Sequence, residues 1–152
     1  MHAQNPDSIL VICGDGKLRS QAEEKAHALG IASAVRFLGQ ISNVQDVYQA
    51  LDLFVLPSLY EGLGMVAIEA QASGLPCICS ERVPNEVAIS SRCSFVPLST
   101  GVEGWSNAIL SARMDVFDRS DLQASPGFES YDIFKAAPKL EEYYLKLFET
   151  VN

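Results

Sequence analysis

The stretch Pro57-Ser58-Leu59-Tyr60-Glu61-Gly62-Leu63-Gly64-Met65-Val66-Ala67-Ile68-Glu69-Ala70-Gln71-Ala72-Ser73-Gly74-Leu75-Pro76 decides how the whole chain is read. Just before it, Leu53-Phe54-Val55-Leu56 has the length and the aromatic and β-branched content of a buried strand that ends at a proline. The order is therefore strand, loop, helix, with the helix opening near Gly64, running to Ser73 and capped at Gly74. A glycine-bearing loop that opens onto a helix N-terminus suits an anion. The first backbone N–H groups there lack intrahelical partners, and the peptide dipoles point their positive end outward.

Two carboxylates flank that helix start. Glu69 lies about five residues into the helix, roughly 7–8 Å along its axis at ~1.5 Å per residue, which is about the reach from a nucleotide's phosphates to its ribose. A phosphate on the amides of Gly64 to Val66 would leave a ribose diol near Glu69, and an ionised carboxylate accepts two such hydrogen bonds. Glu61, still in the loop, would face the other end of the ligand. A Glu-Gly-x-Gly loop on its own is an ordinary surface turn. Met65, Val66, Ala67, Ile68, Ala70 and Ala72, however, make the helix apolar nearly all round, so Glu69 is expected to be its one buried charge, an expensive placement without a function.

Outward from this stretch, apolar runs alternate with helical spacings. Ser8 to Cys13 is a continuous apolar run ending at Gly14-Asp15-Gly16, as suits a parallel strand covered on both faces. Lys17 to Leu29 follows as a helix, with Leu18, Ala22, Ala26 and Leu29 on one stripe and Gly30 as its C-cap. Val35 to Gly39 is the next strand and Val44 to Ala50 a short helix, while Pro76 to Ser80 and Phe95 to Leu98 are further strands. Val102 to Met114 is helical with Trp105, Ile109 and Ala112 on its packed face, and Asp115 to Ser130 lacks any period and reads as a loop or frayed helix. Tyr131 to Thr150 is an amphipathic helix whose apolar face carries Ile133, Phe134, Ala137, Leu140, Tyr144, Leu147 and Phe148. That face must either pack on the sheet or find a surface elsewhere. The fold expected is α/β: a doubly wound, Rossmann-like parallel sheet with helices on both faces and ligands at the carboxyl ends of its strands.

With 152 residues, 48% hydrophobic and 20% charged, the chain is most simply one domain of ordinary globular composition. Its net charge of −8 argues against a nucleic-acid partner, since phosphate backbones need clustered Lys and Arg. Cys13, Cys77, Cys79 and Cys93 sit in or beside apolar runs and read as reduced, packed thiols of a cytosolic protein. No metal-ligand set assembles around His2 or His27, and no apolar run approaches the length of a membrane span. Gly14-Asp15-Gly16 lacks the third glycine of a dinucleotide fingerprint and is a tight turn shaping the rim of a ligand crevice.

With these residues laid out, the sequence resembles the C-terminal, nucleotide-sugar-binding domain of retaining glycosyltransferases of the GT-B fold, family 4. The likeness rests on the Gly14-Asp15-Gly16-Lys17-Leu18 turn, the Val35-Arg36-Phe37-Leu38-Gly39 strand, Asp52 to Ser58, and the paired-glutamate motif from Glu61 to Pro76. It covers most of residues 8–98. The Val83-Pro84-Asn85-Glu86 segment, with Phe95 to Leu98, Trp105 and Tyr131-Asp132-Ile133, looks like the bacterial capsule and exopolysaccharide branch.

The resemblance implies that Glu61 holds the donor sugar and is the catalytic-site carboxylate, and that Glu69 holds the ribose. The amides of Leu63, Gly64, Met65 and Val66 would bind the sugar edge and distal phosphate. Gly14, Gly16, Gln40, Ile41 and Glu86 would form the nucleotide rim, Glu86 being equally readable as a helix-starting cap. It implies no metal or other cofactor, a UDP-sugar or another nucleoside diphosphate sugar as substrate, and a polysaccharide or polyprenyl-linked acceptor. The expected setting is cytoplasmic, peripheral at the inner face of the membrane. By this likeness residues 1–152 are one nucleotide-sugar-binding domain without its first strand, the Arg- and Lys-bearing loop after it, or the N-terminal acceptor domain. The isolated chain is then expected to bind donor weakly, to turn over little, to expose apolar surface and to self-associate. A sugar-nucleotide epimerase domain and a non-catalytic nucleotide-binding or interaction module are the alternatives.

Overall fold

The computed structural model describes residues 2–113, 119 and 126–151. The chain divides into two compact units, Met1–Val47 and Tyr48–Asn152, with the boundary inside helix α2 (Val44–Ala50). Strand β1 (Leu10–Cys13), helix α1 (Arg19–Ala28) and strand β2 (Val35–Gly39) make up the first unit. Strands β3 (Phe54–Leu56), β4 (Cys77–Ser80) and β5 (Cys93–Val96) lie in the second, with helices α3 (Met65–Ala72), α4 (Gly101–Arg113) and α5 (Ile133–Val151).

Every ladder between these strands is parallel, as the strand–helix alternation predicts. In the first unit β1 pairs with β2 from Leu10 opposite Val35 to Cys13 opposite Gly39. Helix α1 ends where Gly30 adopts φ +69°, its N–H bonding the His27 carbonyl at 2.9 Å while Ile31 N–H reaches back to the Ala26 carbonyl at 3.0 Å. That is the expected glycine stop. The predicted cover of both faces of β1 does not hold: Ile9 and Leu10 remain 59% and 54% exposed, as do Leu18 and Leu29 at the ends of the α1 stripe. Only Ala26 of α1 is buried. A helix reading Arg-Ser-Gln-Ala-Glu-Glu-Lys-Ala-His-Ala has too little apolar surface to cover a strand.

In the second unit the strand order is β3-β4-β5, and all four residues of β4 are buried. Its registers run from Phe54 opposite Cys77 and from Cys77 opposite Cys93. β5 begins two residues earlier than its apolar content suggests and stops at Pro97, which has no N–H to continue a ladder. Ala67, Ile68, Ala70 and Gln71 of α3 pack inward with Leu75, Val83, Val87 and Ile89. At the C-terminus of α2, Arg119 donates to the carbonyls of Tyr48 at 3.4 Å, Gln49 at 3.1 Å and Leu51, satisfying groups that the helix end leaves unpaired. Most of the stretch read as an aperiodic loop, Asp115 to Ser130, lies outside the described residues.

Helix α5 does not take the first of its two options. Ile133, Phe134, Leu140, Tyr144, Leu147 and Phe148 are all exposed rather than packed on the sheet. No described helix is long and apolar enough to cross a membrane.

The thiols divide between the two environments. Cys77 and Cys79 are buried, whereas Cys13 is exposed, so the reading of Cys13 as a packed thiol is corrected: it closes the thinly covered β1. Burial pushes the Cys77 thiol well up, a hydrogen bond with Cys93 and burial push Cys79 up, and that same bond draws Cys93 down. In the native protein iodoacetamide is expected to alkylate exposed Cys13 and part-buried Cys93 and to reach Cys77 and Cys79 only after denaturation, read by peptide mass spectrometry. Cys77 reacting as fast as Cys13 would contradict this packing.

Candidate functional site

The loop from Pro57 to Gly64 joins the carboxyl end of β3 to the N-terminus of α3, and hydrogen bonds from the neighbouring strand set its shape. Ser80, fully buried at the end of β4, donates its hydroxyl to the Ser58 carbonyl at 2.5 Å and accepts from the Arg82 N–H at 3.3 Å. Ser58 in turn donates its own hydroxyl to Glu61 Oε1 at 2.7 Å. The half-buried Glu61 carboxylate is thus anchored by one oxygen while its other lone pairs face no bond of this chain among the described residues. Its charge adds to the forces holding the Cys79 thiol protonated beneath it.

Gly64 is the pivot of the loop. It adopts φ +83° and ψ +47°, the left-handed region, and is buried at the N-cap of α3. A Cβ there would lie 3.2 Å from Val83 Cγ1, 3.5 Å from Val87 Cγ1 and 3.7 Å from Leu56 Cδ2, so the position needs glycine for both conformation and space. Gly62 has neither constraint. No side chain caps the α3 N-terminus, and the helix opens with the Ala67 N–H bonding the Gly64 carbonyl at 2.9 Å. The N–H groups of Met65 and Val66, whose residues are 48% and 41% exposed, form its open positive end.

Glu69 is where the structure departs most from the sequence reading. It is exposed, sharing an outer face of α3 with Met65, Val66 and Ala72. The helix is buried on one side only, so burial cost gives no reason for the carboxylate. Its position does, four residues beyond Met65 on the face that also presents the open amides. The Tyr48 hydroxyl lies 3.3 Å from Glu69 Oε2 and 3.3 Å from the Val66 carbonyl.

The buried polar residue of α3 is Gln71, which is wholly inaccessible. Its Nε2 donates to the Ala67 carbonyl at 2.9 Å and to the Val87 carbonyl at 2.7 Å. Its Oε1 accepts from the Ser90 N–H at 3.1 Å and the Ser90 hydroxyl at 2.9 Å. These bonds fasten the segment from Pro84 to Ser90, which bears Glu86, against the helix. Glu86 is exposed in a short 3₁₀ turn, Asn85–Val87, that Pro84 opens without any side-chain cap, so the helix-cap reading of Glu86 does not hold.

Gly14, Gly16, Gln40 and Ile41 belong to the first unit, at the carboxyl ends of β1 and β2. Gly14, at φ +108°, bonds the Gly39 carbonyl at 2.7 Å, and the Asp15 carboxylate accepts from the Gly16 N–H at 2.8 Å. The structure brings these turns together, and separately gathers Glu61, Leu63 to Val66, Glu69 and the Glu86 segment around α3. Sequence reasoning missed Ser58, Ser80, Tyr48 and Gln71. A polar side chain inside the apolar run of α3 was the one available signal, and it pointed to Gln71 as well as to Glu69.

A strand-end loop anchored by hydroxyls, an uncapped helix start and two acidic side chains suit a small ligand with anionic and polyhydroxyl parts. The model of the glycosyl transferases group 1 family matches residues 1–94, more than half of the chain, and the chain belongs to that family. It is 41% identical over 104 residues to the EpsF protein of Bacillus subtilis, covering 68% of this chain and 27% of EpsF. Over 146 residues it is 27% identical to the UDP-Gal:alpha-D-GlcNAc-diphosphoundecaprenol alpha-1,3-galactosyltransferase of Escherichia coli, covering 93% of this chain and 38% of that protein. Among solved structures it is similar to Anabaena Alr3699/HepE in complex with UDP, with a TM-score of 0.75 at 19% identity over 93% of this chain and 42% of that one. The chain therefore spans between a quarter and about two fifths of the length of these proteins. The α/β expectation stands, with its structural neighbours among GT-B glycosyltransferases.

Proposed function

We propose that this chain is the nucleotide-sugar-binding half of a retaining glycosyltransferase of GT-B family 4, transferring a sugar from a nucleoside diphosphate donor in bacterial surface-polysaccharide synthesis. The observation that carries the reading is the α3 N-terminus: left-handed Gly64, uncapped amides at Met65 and Val66, and Glu61 and Glu69 on either side of them. In this reading the amides of Leu63 to Val66 hold the distal phosphate and sugar edge, Glu69 the ribose, and Glu61 the sugar hydroxyls beside the reacting carbon. Glu86 would extend the rim beside α3, with no metal required. The E. coli relative is named for a UDP-Gal donor and a diphosphoundecaprenol-linked acceptor. A lipid-linked acceptor here would place the enzyme at the inner face of the membrane, and the exposed apolar face of α5 supports self-association of the isolated chain.

Calorimetric titration with UDP, GDP and ADP tests the donor site. One of the three is expected to bind, and Glu69→Ala to weaken it by roughly 10- to 100-fold, the worth of two hydrogen bonds at the ordinary net value of ~0.5–1.5 kcal/mol each that a water-exposed site allows. Binding untouched by Glu69→Ala would remove the ribose assignment.

A further inference from the structure

We propose that Tyr48 is a positioning residue for Glu69, holding one oxygen of its carboxylate so that the remaining lone pairs are aimed at two vicinal hydroxyls; this rests on the reading of Glu69 as the ribose acceptor. Tyr48 is 3% exposed and is fixed from several sides. Its ring stands edge-on to Phe54, the first residue of β3, with centroids 5.9 Å apart and planes at 81°. Its backbone carbonyl receives the Arg119 guanidinium at 3.4 Å. The hydroxyl is therefore carried at a fixed point under α3, at 3.3 Å from both Glu69 Oε2 and the Val66 carbonyl.

A phenol has one proton, and 3.3 Å exceeds the ~2.7–2.8 Å of a committed O–H···O bond. Among the described residues the proton thus has two acceptors to choose between. Their chemistry is unequal: the Val66 carbonyl is helical and neutral, with an intrahelical donor of its own, whereas Glu69 is a carboxylate, to which hydrogen bonds are stronger and shorter. Drawing the proton to Glu69 removes rotamer freedom from an otherwise exposed side chain with three rotatable bonds, before any ligand arrives. The ordering cost then does not fall on binding. Because the carboxylate offers about four lone-pair directions, a bond from Tyr48 to one oxygen leaves capacity for a 2′,3′-diol.

The test compares UDP, GDP and ADP, each with its 2′,3′-dideoxy counterpart, on wild type, Tyr48→Phe and Glu69→Ala, with thermal melting of each ligand-free protein alongside. Tyr48→Phe keeps the buried ring and removes only the hydroxyl. It is expected to weaken the ribonucleotide by roughly 3- to 10-fold, the worth of one hydrogen bond, while the dideoxy form binds as before. Equal weakening of both forms would mean that Tyr48 merely shapes the fold, and would overturn the proposal. If wild type itself does not prefer the ribonucleotide, or Glu69→Ala keeps that preference, the ribose role of Glu69 fails and the proposal falls with it. That outcome is distinct because it is visible without any change at Tyr48. Should Tyr48→Phe not fold, Phe54→Leu keeps the hydroxyl but removes the ring that holds Tyr48 edge-on, so the hydroxyl is less firmly placed. It is expected to reduce the same preference about twofold, and an unchanged preference there would overturn the proposal equally.

Discussion

Replacing Gln71 with leucine is expected to destabilise the chain by about 2–3 kcal/mol, since each of the two buried donors left without an acceptor costs ~1–3 kcal/mol and relaxation recovers part of the sum. Leucine has similar bulk but neither donates nor accepts. The Ser90 N–H would lose its acceptor and the Ser90 hydroxyl the group it donates to, in a region closed to water, while the Val87 and Ala67 carbonyls would each lose one of their donors, Val87 keeping the Ile89 N–H at 2.9 Å. Denaturant unfolding checks this: the midpoint should fall with little change in slope. Combining Gln71→Leu with Ser90→Ala should cost less than the two changes separately, because the second removes a hydroxyl whose acceptor the first has already taken away. A loss under about 0.5 kcal/mol for Gln71→Leu would mean that the network contributes little. The functional corollary is local. Gln71 is the fastening between α3 and the segment that carries Glu86, so its loss loosens two parts of the candidate site at once.

Gly64→Val should combine a stability loss of about 2–4 kcal/mol with loss of nucleotide binding. A left-handed φ of +83° costs an L residue ~1–2 kcal/mol, more when it is β-branched, and overpacking adds ~1–3 kcal/mol of which relaxation returns part. The new side chain would enter a space where even its Cβ meets Val83 Cγ1 at 3.2 Å. Relief requires the backbone at Gly64 to rotate, which turns the following N–H groups away from the place a phosphate would occupy. Gly62→Ala is the matched control: with ordinary φ and open space it should change stability by no more than ~0.5 kcal/mol. A melting curve and a UDP titration on each variant separate the two sites. Gly64→Val with wild-type stability and binding would refute the assigned role of the left-handed turn.

The contrast between Gly64 and Glu69 shows how far the chain could be read before folding. Gly64 was legible because the requirement is local: a helix start after a tight loop needs a residue free to take positive φ. Glu69 was placed correctly on the helix, but its burial was misjudged. An apolar helix was assumed to be covered all round, whereas Met65, Val66 and Ala72 share the open face with it. Helix α5 posed the same question in reverse, since an apolar stripe says that a surface is wanted and not whether this chain supplies it. Here Phe134 is 87% exposed and Phe148 72%. Strand β5 was displaced by two residues because Cys93 and Ser94 carry no strong apolar signal. They are strand residues through pairing with Cys77 and Ile78.

The sequence by itself determined the alternation of parallel strands and helices, the glycine stops at Gly30 and Gly74, and the loop-to-helix turn with its paired glutamates. All of these follow from backbone preferences and periodicities a few residues long. Only the tertiary structure decided that Ser80 would reach Ser58 to anchor Glu61, that Tyr48 would come under Glu69, and that Gln71 would bind the segment from Pro84 to Ser90. Those contacts join residues 16 to 22 positions apart. Which polar groups meet across such spans is settled by the register of β3, β4 and β5 and the seating of α3 upon them. No local pattern encodes that registration, because it emerges only when every buried donor and acceptor must find a partner at once.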